Sequence, residues 1–302
     1  MTPPRVVVVI LTYNSQASIG ACLASLAAND YTNFEIVVVD NASVDRTVDI
    51  VRAHPSAATL IPNQRNLGYA QGNNVGMRAA MARGAEYIFV LNDDVIVASD
   101  LISQMVAAAQ AHPNAALLGP LVYHFADPQI IQSAGGAMTP RWEFLHRGQN
   151  QIDQGQFNSI EPVAWLTGCA ILARRAALEK IGLFDSDFFM YWEDVDWCLR
   201  ARQAGFEILF VPQAKLWHKG VQMDYQPGPN VAYYSARNEL LLLRKHRAGW
   251  GVTLRAWAKY LRTIASYTVR PRWRNRRQNR NAQAVALIDF MRGRFGRAAI
   301  SF

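Results

Sequence analysis

The feature of this sequence that most restricts its fold is an apolar run that ends in two adjacent aspartates. Residues Tyr87 to Val95 read Tyr-Ile-Phe-Val-Leu-Asn-Asp-Asp-Val, which predicts a buried strand that ends at Asn92, Asp93 and Asp94. Ligands bind beyond the carboxyl ends of strands in open parallel sheets, and carboxylate oxygens there suit Mg²⁺ or Mn²⁺. The alternative is an exposed, aspartate-rich turn. The run therefore predicts either a cation site at a sheet edge or a plain turn.

The composition is that of a globular chain with a full core. The 302 residues are 51% hydrophobic, which excludes a disordered chain. Three cysteines without paired spacing predict neither a disulfide framework nor a zinc ribbon. The N-terminal run Val6 to Leu11 is too short for a signal peptide, and no run reaches the roughly 18 apolar residues that span a bilayer. We therefore expect a soluble or peripheral protein in the reducing cytoplasm.

The positive charge is concentrated at the C-terminal end. The net charge is +8, but residues 237–302 contain sixteen lysines and arginines and only two acids, whereas residues 1–236 have a net charge of −6. A Gln-Pro-Gly-Pro segment ending at Pro229 would interrupt any regular element before this region. We therefore predict three parts, which are residues 1–120, residues 121–228 and a basic helical region at 229–302.

The first part alternates between strands and helices. Ser15 and Ser43 are candidate N-caps for the first two helices. The alternation predicts an α/β fold with a Rossmann-like, mainly parallel sheet and helices on both faces. The predicted strands before the opening run are Val6 to Leu11, Glu35 to Val39 and Ala58 to Pro62, and the helices are one carrying Ile19, Cys22, Leu23 and Leu26, one ending at Arg52, and Gln71 to Arg83.

Polar residues follow each of these strands and would line one edge of the sheet. Asp40 can accept hydrogen bonds from a base or a ribose, or it can be a turn residue. The glycines from Gly68 to Gly76 do not have the dinucleotide-binding spacing, and a phosphate-binding loop is absent. Diphosphate charge would then have to be met by a metal at Asp94. The other polar residues at these strand ends are Thr12, Tyr13, Asn14, Arg65, Asn66 and Asp93.

The second part contains a predicted strand at Trp165 to Leu172, in which Gly168 allows close approach of a ligand or backbone. A short helix at Arg174 to Ile181 follows. Further on, the Leu-Trp-His segment ending at His218 could supply an imidazole to a metal, or His218 could be a structural residue.

Three acids open a predicted helix after an aromatic loop. Glu193 and Asp194 either complement the helix dipole or perform chemistry. Asp196 and Arg200 are four residues apart and can pair, which assigns a structural role to Asp196. Asp194 is then free to face a cleft as a general base.

Six motifs, in this order, resemble glycosyltransferase family 2 and most closely its rhamnosyltransferase-like branch. The resemblance covers about Val6 to Asn238. A single motif is weak evidence for a family, but six motifs in the same order are specific evidence. They are Thr12-Tyr13-Asn14, Val39 to Asp45, Asn66 to Ala70, Leu91 to Val95, Phe184-Asp185 with Glu193 to Asp196, and Trp217-His218.

The resemblance implies a GT-A fold, a nucleotide-diphosphate sugar donor, Mg²⁺ or Mn²⁺, and inversion at the anomeric carbon. It implies that Asp194 deprotonates the acceptor hydroxyl, Asp94 binds the metal, His218 binds the metal or the diphosphate, Asp40 binds the base and Asp93 the ribose. The branch often has Asn-Pro-Asp at 92–94, which leaves the role of Asp93 open. The other residues expected to bind substrate are Thr12, Tyr13, Asn14, Asn66, Gly68, Trp165, Gly168, Glu193 and Arg237.

The predicted function is transfer of a sugar to a hydroxyl of a lipid-linked or polysaccharide acceptor in cell-envelope glycan synthesis. Rhamnose from dTDP-rhamnose is one donor, and a UDP- or GDP-sugar is the alternative. Residues 1–120 would bind the donor and residues 121–228 the acceptor, with Tyr123 to Phe157 in contact with it. A nucleotidyltransferase would not explain Glu193 and Asp194. A non-catalytic binding protein on a decayed transferase fold is the alternative from another class.

The basic tail predicts an amphipathic helix. Arg255, Lys259 and Arg262 lie opposite its apolar stripe, and the arginine-rich segment Arg270 to Arg280, which includes Trp273, follows. The tail either docks on the anionic inner face of the cell membrane, close to a lipid-linked acceptor, or packs on the catalytic domain with a solvated basic end. Nucleic acid is not expected, since the body is acidic. The stripe consists of Trp250, Leu254, Trp257, Leu261, Ile264 and Thr268.

Overall fold

The chain is described here by a computed structural model, which covers residues 2–220 and 226–300. Twelve strands are present in these ranges. They are β1 (Val6–Thr12), β2 (Phe34–Asp40), β3 (Thr59–Pro62), β4 (Tyr87–Asn92), β5 (Val95–Val97), β6 (Ala115–His124), β7 (Ile131–Ser133), β8 (Gly136–Met138), β9 (Phe144–His146), β10 (Glu161–Pro162), β11 (Ala170–Arg174) and β12 (Glu207–His218).

The helices pack on both sides of the strands and form a separate C-terminal group. Short 3₁₀ helices at Ser186–Phe188 and Pro271–Arg276 precede α6 and α9. The α-helices of the described residues are α1 (Ile19–Ala27), α2 (Thr47–Ala53), α3 (Gly68–Ala82), α4 (Leu101–Ala111), α5 (Arg175–Ile181), α6 (Glu193–Gln203), α7 (Pro229–Lys245), α8 (Trp250–Val269) and α9 (Arg277–Met291).

Ten of these strands form a mixed sheet with the order β10-β12-β6-β11-β4-β1-β2-β3, in which β5 also pairs with β12 and β7 with β6, and β8 and β9 form a separate two-stranded sheet. Strand β1 pairs in parallel with β2 and β4, β2 with β3, and β6 with β12. Strand β11 is antiparallel to both β4 and β6. The predicted α/β, mainly parallel architecture is therefore confirmed. The sheet is continuous across the predicted division between residues 120 and 121, since β6 spans it.

Apolar side chains on both faces of the sheet explain why its strands contain uninterrupted valine and isoleucine runs. Successive residues of a strand point to opposite faces. Val7 and Val9 pack in the cluster that includes Met77 of α3, whereas Val8 and Ile10 pack in the cluster that includes α1 and α4. Strands covered on both faces need no polar alternation.

Several predicted boundaries differ from the structure. Neither Ser15 nor Ser43 caps a helix with its side chain, because their hydroxyl oxygens accept from the backbone amides of Tyr13 and Asn14 instead. Helix α3 begins at Gly68, three residues before the predicted start. Strand β11 begins at Ala170, because the backbone turns at Thr167, whose carbonyl accepts from the Ala170 amide.

A buried ion network joins α6 to the C-terminal helices. The Asp196 side chain is fully buried and contacts Arg200 at 2.7 Å, Lys245 at 2.9 Å and His246 at 2.9 Å. Burial alone would raise the pKa of Asp196, but His246, Arg200 and Lys245 lower it to about 2. The predicted pairing of Asp196 with Arg200, and its structural role, are therefore confirmed.

Replacing Asp196 by alanine is expected to lower the free energy of unfolding by about 3 to 5 kcal/mol, since Arg200, Lys245 and His246 lose the fully buried carboxylate that they contact. Urea denaturation at pH 7 measures this. Glu179→Ala, which breaks the exposed pair with Arg175, should cost less than about 1 kcal/mol. The contribution of Asp196 is present above its unfolded pKa near 3.8 and is lost as the pH falls towards 2. Equal losses in the two variants would contradict the network's role.

Candidate active site

A cleft lies where strands β1, β2 and β4 end, and it consists of two adjoining cavities. The first is bordered by the ends of these strands, by the start of α3 and by Phe189. The second is bordered by the Thr167-Gly168 turn and by the start of α6. Tyr69, Asn92 and Met190 line both cavities. Molecules bound in the two cavities would therefore meet at these shared residues.

Asp94 and His218 form a close pair at the edge of the cleft. His218 Nε2 lies 3.1 Å from Asp94 Oδ1, but the contact lacks hydrogen-bond geometry, so this buried oxygen has no hydrogen-bond partner among the described residues. Burial alone would raise the pKa of Asp94, but the His218 imidazole outweighs it and holds the pKa below its usual value. The Asp94 carboxylate therefore has one buried oxygen that accepts no hydrogen bond from the described residues.

Gln132 orients the imidazole of this pair. His218 Nδ1 lies 3.1 Å from the Gln132 side-chain oxygen, so Nδ1 donates and Nε2 is the ring nitrogen beside Asp94. Metal-binding histidines are oriented in this way by an outer hydrogen bond. A ring nitrogen beside a carboxylate oxygen that has no hydrogen-bond partner among the described residues fits a divalent cation. Residues 2–220 and 226–300 contain no group of three or more potential metal-binding side chains, so the remaining ligands would be phosphate and water oxygens.

Asp93 lies beside this pair in the first cavity. Its Oδ2 accepts a hydrogen bond of 3.0 Å from the Ser18 hydroxyl. Burial raises the pKa of Asp93, and the Asp94 charge adds to the increase. Asp93 is therefore held against α1, with the rest of its surface on the cavity.

Asp194 is fixed in the second cavity by two backbone amides. The Gly168 amide donates to Oδ2 and the Val195 amide donates to Oδ1, both at 2.8 Å. A Cβ atom on residue 168 would lie only 3.3 Å from Asp194 Oδ2 and 3.4 Å from the Tyr69 hydroxyl, which is why glycine suits this position. Burial raises the pKa of Asp194. The carboxylate is therefore oriented, desolvated and more basic than an ordinary aspartate.

Glu193 is the second acid of this cavity and is only 5% exposed. Its Oε2 has no hydrogen-bond partner in the described residues. Burial, and then the charge of Asp194, raise the pKa of Glu193 well above its usual value. The neutral form is therefore favoured more strongly for Glu193 than for Asp194.

A strained loop connects the two cavities. Phe189, Tyr191 and Trp192 have φ values of 60°, 67° and 77°, which non-glycine residues rarely adopt. The loop approaches α3 so closely that a Cβ at Gly68 would overlap the Phe189 ring, and the Phe189 carbonyl accepts from the Ala70 amide at 3.1 Å. Strain of this kind persists only where neighbouring structure enforces it.

Two adjacent side chains of α7 hold this loop. The Asn238 amide donates to the carbonyls of Phe188, Met190 and Tyr191 at 2.6, 2.8 and 3.0 Å. Arg237, which is 1% exposed, donates to the carbonyls of Asp187 at 3.2 Å and Gly296 at 2.8 Å. The Arg237 guanidinium is therefore occupied by backbone carbonyls outside the cleft, and its contact with substrate stays a prediction.

Asn238→Ala is expected to lower turnover by about 10- to 100-fold, because small displacements of reacting groups have effects of this size. The KM for the donor should change less, since the first cavity keeps its strand-end residues. Steady-state kinetics measures both constants, with the exposed Asn281→Ala as a control. An unchanged kcat with an altered melting temperature would limit Asn238 to a stabilising role.

The structure brings most of the predicted site residues together. The first cavity contains Thr12, Tyr13, Asn66, Gly68, Asp93 and Asp94, and the second contains Gly168, Glu193, Asp194 and His218.

Three other predicted residues do not line either cavity. Asn14 joins two loops, since its Oδ1 accepts from the Val44 amide at 2.9 Å. Asp40, which is 2% exposed, accepts from Thr12 Oγ1 and the Ser43 amide, both at 2.9 Å. Trp165 is buried against Gly136 and donates to the Ala137 carbonyl at 3.2 Å. In this structure these three side chains maintain the fold around the cleft.

Some residues of the site were not predicted. The Tyr69 hydroxyl lies 2.6 Å from the Gly168 carbonyl and 3.1 Å from Asn92 Oδ1, which places it between the two cavities. Gln132 belongs to the segment that was expected to contact the acceptor. Asn92 directly follows the apolar run, a position that could have indicated its role, but nothing local in the sequence marks Gln132.

Comparison with known proteins agrees with this geometry. The family model "Glycosyl transferase family 2" matches residues 7–182. The N-acetylglucosaminyl-diphospho-decaprenol L-rhamnosyltransferase of Mycobacterium tuberculosis is 31% identical over 273 residues, which cover 82% of this chain and 87% of that protein. The dTDP-rhamnosyl transferase RfbF of Shigella flexneri is 26% identical and covers 79% of each chain.

Solved structures share the fold at low sequence identity. GalNAc-T7 with UDP, GalNAc and Mn²⁺ is 16% identical with a TM-score of 0.65, over 80% of this chain and 48% of that one. A mannosyltransferase from Pyrobaculum calidifontis with GDP-Man and Mn²⁺ is 18% identical with a TM-score of 0.59, over 96% and 88%. The chain therefore belongs to glycosyl transferase family 2, in its rhamnosyltransferase-like branch, and is a glycosyltransferase with the GT-A fold.

Proposed function

We propose that this enzyme transfers a hexose, with inversion and dependence on a divalent metal, from a nucleotide-diphosphate donor to a hydroxyl of a lipid-linked or polysaccharide acceptor. One observation carries the proposal. The Asp94–His218 pair, suited to a cation, lies in a cleft that also contains Asp194, which borders the second cavity. The first cavity would hold the donor and the second the acceptor.

The chain's own groups support a single displacement. Asp194 would accept the proton of the acceptor hydroxyl, whose oxygen forms a bond to the anomeric carbon as the bond from that carbon to the diphosphate oxygen breaks. The nucleoside diphosphate leaves from the opposite face of the sugar, which inverts the anomeric configuration. Asp94 and His218 would hold Mg²⁺ or Mn²⁺, which offsets charge on the departing diphosphate when bound.

The donor is proposed to be dTDP-rhamnose. The names of two relatives support rhamnose, and one of these names specifies dTDP. Two structures with the same fold contain Mn²⁺ with UDP or GDP-Man, which supports a divalent ion at Asp94 and keeps UDP- and GDP-sugars as alternative donors. The base and ribose contacts of Asp40 and Asp93 remain part of the proposal.

The acceptor is proposed to be lipid-linked, in cell-envelope glycan synthesis on the cytoplasmic face of the membrane. The Mycobacterium relative is named for a diphospho-decaprenol acceptor. Among the described residues, no helix is long and apolar enough to cross a bilayer. Residues 123–157, which include Gln132, are proposed to border the acceptor.

Calorimetric titration with dTDP, UDP and GDP, each with and without Mn²⁺, tests the donor site. We expect one nucleotide, dTDP, to bind tightly only with the metal. If UDP or GDP binds instead, the proposed metal site stands and the donor is a sugar of that nucleotide. If none of the three binds under either condition, the transferase proposal is wrong and a non-catalytic role for this fold follows.

A further inference from the structure

Helix α8 packs on the C-terminal group by only one side. Ala256 and Tyr260 are buried, at 6% and 7% exposure. Trp257 and Ile264 are partly buried and pack in the same cluster as residues of α7 and α9. The predicted apolar stripe is therefore divided, since only one edge of it is used for packing.

The remaining part of the stripe faces solvent. Trp250, Leu254 and Leu261 are 84%, 60% and 55% exposed, and Val269 is 74% exposed. Their spacing, together with the exposed Ala258 and Ala265 between them, puts them on one side of the helix over about five turns. Exposed apolar surface that is continuous over such a length marks an interaction site.

Arginines flank this apolar face and continue beyond it. Arg255 and Arg262 each follow a leucine of the face and are exposed. Lys259, farther round the helix, is already paired with Glu239 at 2.5 Å. None of the arginines at 255, 262, 270, 272, 274, 276, 277 or 280 forms an ion pair with a described residue.

We infer that the exposed face of α8, with Arg255, Arg262 and the arginine-rich segment Arg270–Arg280, docks on the surface of an anionic lipid bilayer. Apolar side chains beside unpaired arginines match the headgroup and acyl boundary of such a surface. A second copy of the chain would bring like charges together, and nucleic acid would leave the leucines and Trp250 without a partner. The inference deepens the proposed function and rests on it for its purpose, which is to bring the cleft to a lipid-linked acceptor.

Vesicle co-sedimentation of the full chain tests this docking. We expect binding to vesicles of equal phosphatidylglycerol and phosphatidylcholine, and at least tenfold weaker binding to phosphatidylcholine alone. Raising NaCl from about 50 to 500 mM should weaken the binding, since exposed charges are screened. Binding that ignores lipid charge and salt, or no binding to either vesicle, would overturn the inference.

Matched variants identify the surface. Leu254→Asp with Leu261→Asp should abolish sedimentation, and Arg255→Gln with Arg262→Gln should weaken it by about 25-fold, at about fivefold per arginine. Arg52→Gln with Arg78→Gln removes two exposed arginines of the first part and should have no effect. Light scattering is the second readout, because a dimer that the Leu254→Asp, Leu261→Asp variant dissociates would assign the face to a second copy and overturn the inference.

Nucleotide titration keeps the two proposals separate. The α8 variants should bind dTDP and Mn²⁺ as the wild type does, because α8 does not line the cleft. If the wild type sediments with anionic vesicles but binds no nucleotide, the proposed function fails and the docking surface stands. If nucleotide binds and sedimentation is absent, only the docking inference fails.

Discussion

Asp194→Asn is expected to lower kcat by about 10² to 10⁴, the usual contribution of a positioned general base. The amides of Gly168 and Val195 donate to different oxygens of Asp194, so the asparagine keeps an oxygen acceptor for one of them and places an NH₂ group opposite the other. The donor should still bind, because Asp194 borders only the second cavity. Single-turnover transfer and nucleotide titration measure the two effects separately. Near-normal turnover would exclude Asp194 as the base.

Glu193→Gln is the matched control for this result. Burial and the Asp194 charge raise the pKa of Glu193 well above its usual value, which favours its neutral form, so a neutral amide of similar shape should retain most of the activity. A loss as large as that of Asp194→Asn would transfer the role of base to Glu193.

The raised pKa values of these acids also predict a pH dependence. Asp194 must be ionised, so activity is lost as the pH falls through a value above 3.8, its ordinary pKa. Glu193 stabilises the fold fully below its unfolded pKa near 4.5, and this contribution decreases as the pH rises. Between pH 4 and pH 8 the free energy of unfolding should therefore decrease less for Glu193→Gln than for the wild type. Denaturation at the two pH values measures both decreases.

Asp94→Ala is expected to lower kcat/KM by about 10³ and to abolish the effect of Mn²⁺ on nucleotide affinity. Metal stabilisation of a leaving group contributes several kcal/mol, and the variant keeps only His218 of the pair. Calorimetry with and without Mn²⁺ measures the loss of metal dependence. The exposed Asp49→Asn should behave as the wild type.

Gln132→Ala gives a graded test of the same site. It removes the partner of His218 Nδ1 but neither proposed ligand, so metal affinity should fall by about 10- to 100-fold. Unchanged Mn²⁺ affinity in both Asp94→Ala and Gln132→Ala would place the metal elsewhere.

The parts of the site that depend on local sequence could be predicted. A buried run ending in Asp93 and Asp94 indicates a strand end at a sheet edge, and the spacing of Asp196 and Arg200 indicates their pairing and leaves Asp194 available. These inferences need only the periods of strands and helices.

The parts of the site that depend on long-range packing could not be predicted from the sequence. Arg237 lies fifty residues from the loop that it holds, and Gln132 lies 86 residues from His218. No local pattern relates such partners. For the same reason the orientation of α8 was only half predicted, because the sequence shows its apolar stripe but not which edge the neighbouring helices cover.

An assay of sugar transfer is the most direct test of the proposed mechanism. The purified enzyme is incubated with dTDP-rhamnose, a lipid-linked N-acetylglucosaminyl diphosphate and Mn²⁺, and the products are followed by mass spectrometry and by NMR of the new anomeric carbon. The proposed mechanism predicts release of dTDP, a lipid product heavier by one deoxyhexose with inverted configuration, and no product from Asp194→Asn or after chelation of the metal. Retained configuration, or transfer that persists in Asp194→Asn, would contradict it.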